Sequence, residues 1–396
     1  MTARFKYPCT GHYEAGDFPN FLARELGEPR ANIQAFAREL GNVFGPSRIT
    51  LVNSGSSANL AAALAIMERL KQSRSLQKPQ AIVAGFTFPT TVSSLMAAGF
   101  AVKVIDTAPG SFCMDPQQLE EAIGPETALV CPTHFLGFPA DMPRIAEIAK
   151  RHDLYILQDA CETLDLRIGG KPAYEYGDLT TWSFYHPHHL SSFGGGAVLS
   201  LNQSWHHLVE SLTHWGRSCT CHFSKETCLA PPGRNHNFWY ERNGHNLELS
   251  ELNACFGRYQ LATWKEQEAR RKEHYDILYR ALKDFPPVRV YEQNPDSGSP
   301  FVFPITLKEE LALALPQIEL ALAQSGVEIR TLMGGVITSQ PAYRNLAHTN
   351  LSQSIKMSDS SFCLGIHQTL EKDAVSDVAA VLQEVLKHAH DYLKSG

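Results

Sequence analysis

Between residues 49 and 200 the chain repeats one hydrophobic pattern: short, mostly apolar runs rich in β-formers, each followed by small or polar residues and then a stretch with helical spacing. "SRITLVNSGSSANLAAALAIMERL" reads as a strand, a Ser/Gly turn and a helix starting near Ser57. "QAIVAGFTFPTTVSSLMAAGF", "AVKVIDTAPGSF", "ETALVCPTHFLG", "RIAEIAKRHDLYILQDAC" and "DLTTWSFYHPHH" continue the rhythm. Such runs belong to strands covered on both faces, and their alternation with helices predicts an α/β fold with a mostly parallel sheet between helical layers. From Leu247 to about Phe285 the spacing predicts one long helix, and "FVFPITL" and "LPQIELALAQSGVEIR" beyond it predict mixed strands and helices. This divides the chain near residue 260. Residues 1–260 form a large domain with a Cys-rich loop at about 215–245, and residues 261–396 form a smaller α+β domain.

Composition narrows the function classes. Over 396 residues, 43% hydrophobic and 19% charged residues describe an ordinary globular protein. A net charge of −6 argues against nucleic acid or an anionic membrane surface as the main partner. The N-terminal stretch lacks a signal-peptide core and no apolar run reaches membrane-spanning length, so a cytoplasmic protein is expected. Nine cysteines, odd in number and unevenly spread, fit free thiols or metal ligands better than a disulfide framework.

Four segments carry candidate chemistry. "NSGSSAN" sits between a strand and a helix, where unpaired N–H groups suit a phosphate; in isolation, plain helix capping is the commoner role of Ser56 and Ser57. "YILQDAC" puts Asp159 at a strand's C-terminal end, where open α/β sheets build their sites; it could hold a pyridine nitrogen protonated or cap the next helix. "FTFPTT" offers Phe88 as a face for a planar ring or as a core aromatic. "SFYHPHHLSSFGGG" resembles the strand end that carries the imine-forming lysine of a pyridoxal phosphate enzyme, yet Ser183–Gly196 holds no lysine, only His186, His188 and His189. A further cluster, "RSCTCHFSKETC", contributes Cys219, Cys221 and Cys228, and Cys161 lies 58 positions before Cys219. Four thiolates suit a [2Fe–2S] cluster or structural zinc.

The order of these segments is similar to that of fold-type I pyridoxal phosphate enzymes. It resembles the DegT/DnrJ-type sugar aminotransferases, and within them the iron–sulfur-containing NDP-4-keto-6-deoxyhexose 3-dehydrase branch. "SGSSANL", "GFTFPTTV", "SFYHPHHL", "HWGRSCTC", "GHNLELSELNAC" and "FCLGIHQTL" all have counterparts there. The resemblance implies an aminotransferase-like fold and pyridoxamine phosphate (PMP, the amine form of PLP) bound without a covalent link. It assigns Gly55, Ser56, Ser57 and Ser183 to the phosphate, Phe88 to stacking, Asp159 to the pyridine nitrogen and Glu162 to the ring's surroundings. His188 takes the lysine's place as a base, with His186 and His189 structural. Asn246 would reach the neighbouring subunit's phosphate, implying a homodimer with shared sites.

The same resemblance implies an NDP-sugar substrate losing its C3 hydroxyl, and a [2Fe–2S] cluster on Cys161, Cys219, Cys221 and Cys228. Electrons would come from a flavin iron–sulfur reductase or ferredoxin. Here the cysteine pattern is C-x57-C-x-C-x6-C, one residue shorter in its last gap than the branch's pattern, and Gly195 stands where relatives tend to carry an acid. Two alternatives stay open: a lysine-free PMP sugar dehydratase without a redox step, and a zinc-stapled sugar-nucleotide-binding protein without catalysis.

Overall fold

A computed structural model describes residues 6–13, 15–219, 231, 233–293 and 298–395. The apolar runs form strands β1 (Ile49–Val52), β2 (Gln80–Ala84), β3 (Ala101–Ile105), β4 (Thr127–Cys131) and β5 (Tyr155–Asp159). A short hairpin, β6 (Arg167–Ile168) and β7 (Lys171–Pro172), precedes β8 (Leu179–Ser183) and β9 (Gly196–Ser200). The remaining strands are β10 (Val288–Val290), β11 (Val302–Leu307), β12 (Arg330–Thr331), β13 (Ala347–His348) and β14 (Ser361–Gly365).

Eight strands form the main sheet in the order β1-β9-β8-β5-β4-β2-β3-β13. Only β9 runs against its neighbours, pairing antiparallel with β1 and β8; every other pair is parallel. This is the mostly parallel, helix-covered sheet that the apolar runs imply. Its largest core joins the sheet to the Gly55–Ser73 helix, whose alanines at 58, 61, 62, 63 and 65 are fully buried. Small side chains let that helix lie close to the sheet.

A second, antiparallel sheet, β10-β11-β14-β12, has its own core with Tyr275, Leu278 and Leu282 and with the C-terminal helix. The long helix expected from Leu247 to Phe285 is instead two helices, Glu251–Leu261 and Trp264–Leu282. Thr263, at φ −107° and ψ 12°, interrupts the run, and Gln267 Nε2 spans the break to Thr263 Oγ1 at 2.8 Å. The chain beyond residue 260 does not stay with the smaller sheet: Ala347 and His348 return to extend the main one beside β3. Among the described residues no helix is long and apolar enough to cross a membrane.

Candidate active site

The C-terminal ends of β5 and β8, the first turn of the Gly55–Ser73 helix and segments of the smaller sheet surround one cavity of about 880 Å³. The helix begins at Gly55, two residues before the Ser57 start expected. Ser54 is its cap, accepting from the Ser57 amide at 3.0 Å. A Cβ on Gly55 would meet Ser183 Cβ at 2.8 Å and Cys161 Sγ at 3.1 Å, so the absence of a side chain keeps this corner open. Ser56 lines the cavity, its hydroxyl donating to Thr90 Oγ1 at 2.8 Å. Ser57 does not line it; its amide serves the cap and its hydroxyl donates to Asn53 Oδ1.

Asp159 ends β5 at the cavity floor and is nearly fully buried. Its Oδ2 accepts from Asn59 Nδ2 at 3.0 Å and Thr91 Oγ1 at 2.5 Å, and its Oδ1 from the Cys161 amide at 3.1 Å. These donors stabilise the carboxylate against the cost of burial. Asn59 is itself fixed by Thr181 Oγ1, which donates to Asn59 Oδ1 at 2.7 Å. Phe88 caps the Pro89–Ala98 helix and is 45% exposed at the cavity wall, so it is not a core aromatic.

Glu162 is buried against the cavity and accepts from the Leu136 amide at 2.5 Å. That amide is aimed by Leu136's left-handed backbone, φ +55°, a strained conformation for a branched side chain. Burial, with a contribution from Asp159, pushes the Glu162 carboxyl up to about 8.

After β8 the chain turns at once, the His188 amide donating to the Tyr185 carbonyl at 3.0 Å. His188 stacks on Phe301 with ring centroids 5.2 Å apart and planes 21° from parallel. Its Nδ1 is buried without a hydrogen-bond partner among the described residues. Burial pushes the imidazole down to about 4, Arg271 adding to the effect and Asp159 opposing it, so the ring is neutral at pH 7. His189 is turned away, its Nε2 against the Ser299 carbonyl at 2.9 Å. His186 lies on the cavity wall with its Nε2 2.6 Å from the Gly11 carbonyl, so its surroundings are those of the site as well as of the scaffold. Gly195 has φ +125°, and a Cβ there would meet Ser192 Oγ at 2.6 Å and Leu249 Cδ1 at 2.9 Å. The local backbone thus disfavours any side chain at the position where an acid was expected.

Gly55, Ser56, Phe88, Asp159, Cys161, Glu162, Ser183 and His188 therefore share one cavity, whereas Ser57 and Asn246 do not line it. Asn246 is exposed, bridging to His214 through its main chain. Asn59 and Thr91, which hold Asp159, and Arg271 and Phe301, which line the cavity, also belong to this site, and the sequence carried no sign of the last two. Asn59 ends the quoted Ser/Gly turn, one helical turn beyond Gly55, and Thr91 ends the quoted "FTFPTT".

The chemistry of this donor set fits PMP. An open corner at a helix start, a strand-end carboxylate, an aromatic wall and the His188 imidazole line one space, and no lysine lines it among the described residues. The metal ligands are a different matter. Cys161 lies on the cavity wall, where burial and then Asp159 push its thiol up, so a thiolate there needs a metal's charge. Cys219 is buried and does not line the cavity. Cys221 and Cys228 lie outside the described residues. Among those that are described, no three His, Cys, Asp or Glu side chains form a metal-binding group.

Comparison with known proteins agrees with this geometry. The chain is 29% identical over 368 residues to a dTDP-4-dehydro-2,6-dideoxy-D-glucose 3-dehydratase of Saccharopolyspora spinosa, covering 89% of this chain and 80% of that one. It is 27% identical to the lipopolysaccharide biosynthesis protein RfbH of Salmonella typhimurium, covering 88% and 84% respectively. Its fold matches that of the E. coli GDP-4-keto-6-deoxy-D-mannose-3-dehydratase, solved with bound hydrated PLP. The TM-score is 0.84 at 21% identity, over 97% of this chain and 100% of that one. Residues 23–383 match the description "DegT/DnrJ/EryC1/StrS aminotransferase family". The chain belongs to that family.

Proposed function

We propose that this protein is a cytoplasmic enzyme that removes the C3 hydroxyl of a nucleotide-linked 4-keto-6-deoxyhexose with the help of non-covalently held PMP. One observation carries the reading: a neutral histidine, His188, lines the cavity from the loop after β8, and no lysine lines it among the described residues. Relatives whose names specify 3-dehydratases of such sugars support it.

In this reading Gly55, Ser56 and Ser183 hold the phosphate at the helix start, with Ser57 contributing through the cap. Phe88 covers a ring face, Asp159 keeps the pyridine nitrogen protonated, and Glu162 stands beside it as a neutral acid. Asn246 reaches the phosphate site of a second subunit, making the active form a homodimer. Bound there, PMP supplies an amine that condenses with the sugar ketone and a ring that accepts electron density. His188 takes the proton from the cofactor's methylene carbon. Anionic charge brought by phosphate groups acts to raise its proton affinity, in the same direction as Asp159.

We extend the reading to a [2Fe–2S] cluster on Cys161, Cys219, Cys221 and Cys228. Support comes from their spacing and from Cys161's place on the cavity wall. A cluster would supply electrons one at a time from an external flavin iron–sulfur reductase or ferredoxin. The test is the visible spectrum and metal content of anaerobically purified protein, before and after dithionite, followed by turnover with PMP and 4-keto-6-deoxy sugar nucleotides, with dithionite as electron source. Bands that bleach on reduction, with matching iron and sulfide, support the reductive enzyme. Turnover without iron leaves a simple dehydratase. Stoichiometric zinc and no turnover would overturn the enzymatic reading.

A further inference from the structure

Arg271 lies on the Trp264–Leu282 helix and is only 1% exposed, yet it reaches the cavity wall. Its Nε donates to Gln368 Oε1 at 3.1 Å. Its Nη1 donates to the carbonyls of Phe301 at 3.2 Å and Pro300 at 3.4 Å, and its Nη2 to the carbonyl of His188 at 3.4 Å. None of these acceptors is a carboxylate. Burial lowers the guanidinium to about 10, so it stays charged at neutral pH. A buried cation held by neutral oxygens alone is costly, and a planar fork is the group that can gather several acceptors at fixed angles.

The acceptors it gathers are the informative part. His188 and Phe301 belong to distant segments, one after β8 and the other before β11, and their rings stack on each other. The His188 segment has no strand pairing of its own, and the ring's Nδ1 has no partner among the described residues. The direction of the imidazole is therefore set by where its main chain sits, by the Phe301 face and by a hydrogen bond to the Cys161 main chain. Arg271 holds the first two.

We propose that Arg271 is a positioning residue that aims the His188 imidazole by tying the main chains of His188 and Phe301 to one guanidinium. The inference rests on the reading of His188 as the base. It distinguishes Arg271 from a substrate-binding arginine, which would contribute to substrate affinity rather than to the chemical step.

The test uses Arg271→Lys, Arg271→Gln and Phe301→Leu in the full chain, each checked for folding by thermal unfolding. The first readout needs no cofactor or substrate: diethylpyrocarbonate modification of His188, mapped by peptide mass spectrometry against the exposed His207 and His348 as internal references. Modification of His188 is expected to rise at least about threefold in all three variants, because ring placement is lost in each. The second readout is steady-state turnover with PMP, dithionite as electron source and dTDP-4-dehydro-2,6-dideoxy-D-glucose. A kcat lower by about tenfold or more is expected, with KM within about twofold. Lysine, which keeps the charge but not the fork, should recover only part of the loss from glutamine. Unchanged His188 modification in folded Arg271→Lys and Phe301→Leu would overturn the proposal, as would a raised KM at unchanged kcat. If the wild type turns over no 4-keto sugar nucleotide, the dehydratase reading fails, and the modification rates still decide whether Arg271 positions His188.

Discussion

Asn59 Nδ2 donates to Asp159 Oδ2 at 3.0 Å, joining the Gly55–Ser73 helix to the end of β5, and both side chains are at most 3% exposed. Thr181 polarises the same amide by donating to its oxygen. The carboxylate at the cavity floor is thus pre-set by a buried chain of donors. Replacing Asp159 by Asn keeps the shape and removes the charge, and is expected to lower turnover by about a hundredfold or more while thermal stability changes little. Asn59→Ala should act differently. It leaves Asp159 and Thr181 short of a partner, with an expected loss of about 1–3 kcal/mol in urea unfolding.

The position of His188 predicts a gain of function in cofactor attachment. Its loop resembles a lysine site by sequence, and its ring faces the cavity beside Asp159 and Ser183. His188→Lys mixed with PLP should form a borohydride-trappable adduct, located by peptide mass spectrometry at residue 188. The wild type should form none there. An adduct at another lysine in both proteins would show that the attachment site lies elsewhere.

Much of the fold was legible because it rests on local regularities. The mostly apolar runs at 80–84 and 127–131 became buried strands paired in parallel, whereas the one at 49–52 became an edge strand paired antiparallel with β9, and Asp159 ended its strand at the cavity. The break at Thr263 was not legible, since residues on both sides keep helical spacing and only the local backbone stops the helix. The return of Ala347 and His348 to the main sheet was hidden for a different reason: two residues carry no periodicity. At the site, types with a single chemical use, such as a strand-end Asp, stood out. Arg271 and Phe301 did not, because their roles come from carbonyls and ring faces brought together across more than eighty residues of chain.

Acid should weaken the fold through buried neutral histidines. His134 is completely buried, its Nδ1 accepting from the Ala140 amide at 3.1 Å and its Nε2 3.0 Å from Gln158 Oε1. Burial pushes it down from 6.5 to about 4. The unfolded chain therefore binds a proton at His134 over a range where the folded chain does not, and stability falls as pH drops from about 6.5 towards 4. At pH 5 this one group should cost on the order of 2 kcal/mol. His188 and His367, each lowered to about 4, act in the same direction. Glu162, raised to about 8, opposes them by favouring the fold at lower pH. Urea unfolding of wild type and His134→Gln at pH 7 and pH 5 checks this: the variant should lose less stability on acidification, by about that amount.

The corner kept open at Gly55 should be needed for cofactor more than for folding. In Gly55→Ala the new methyl meets Ser183 and Cys161, two side chains that can shift into the cavity. The expected outcome is PMP affinity lower by about tenfold or more, read by fluorescence titration, with a change in Tm of only a few degrees. Gly196→Ala is the contrasting case, since its methyl would lie 2.6 Å from the Ser54 main chain, which cannot step aside. That variant should lose stability as well as affinity.

The two roles proposed around Cys161 can be separated because the thiol and the carboxylate two residues before it face the same cavity by different means. Asp159 is fixed by side-chain donors and by the Cys161 amide, and the latter survives any change of side chain at position 161. Cys161→Ser should therefore leave PMP affinity within about threefold of wild type. It should abolish the visible bands of an iron–sulfur cluster, because a hydroxyl is a poor substitute for a thiolate at iron. Cys255 is the control. It lies buried among Phe18 and Phe256, away from the cavity, and burial pushes its thiol up. Cys255→Ser should retain both the bands and the cofactor. Loss of bands in both variants would point to general destabilisation, and their retention in Cys161→Ser would remove Cys161 from the ligand set.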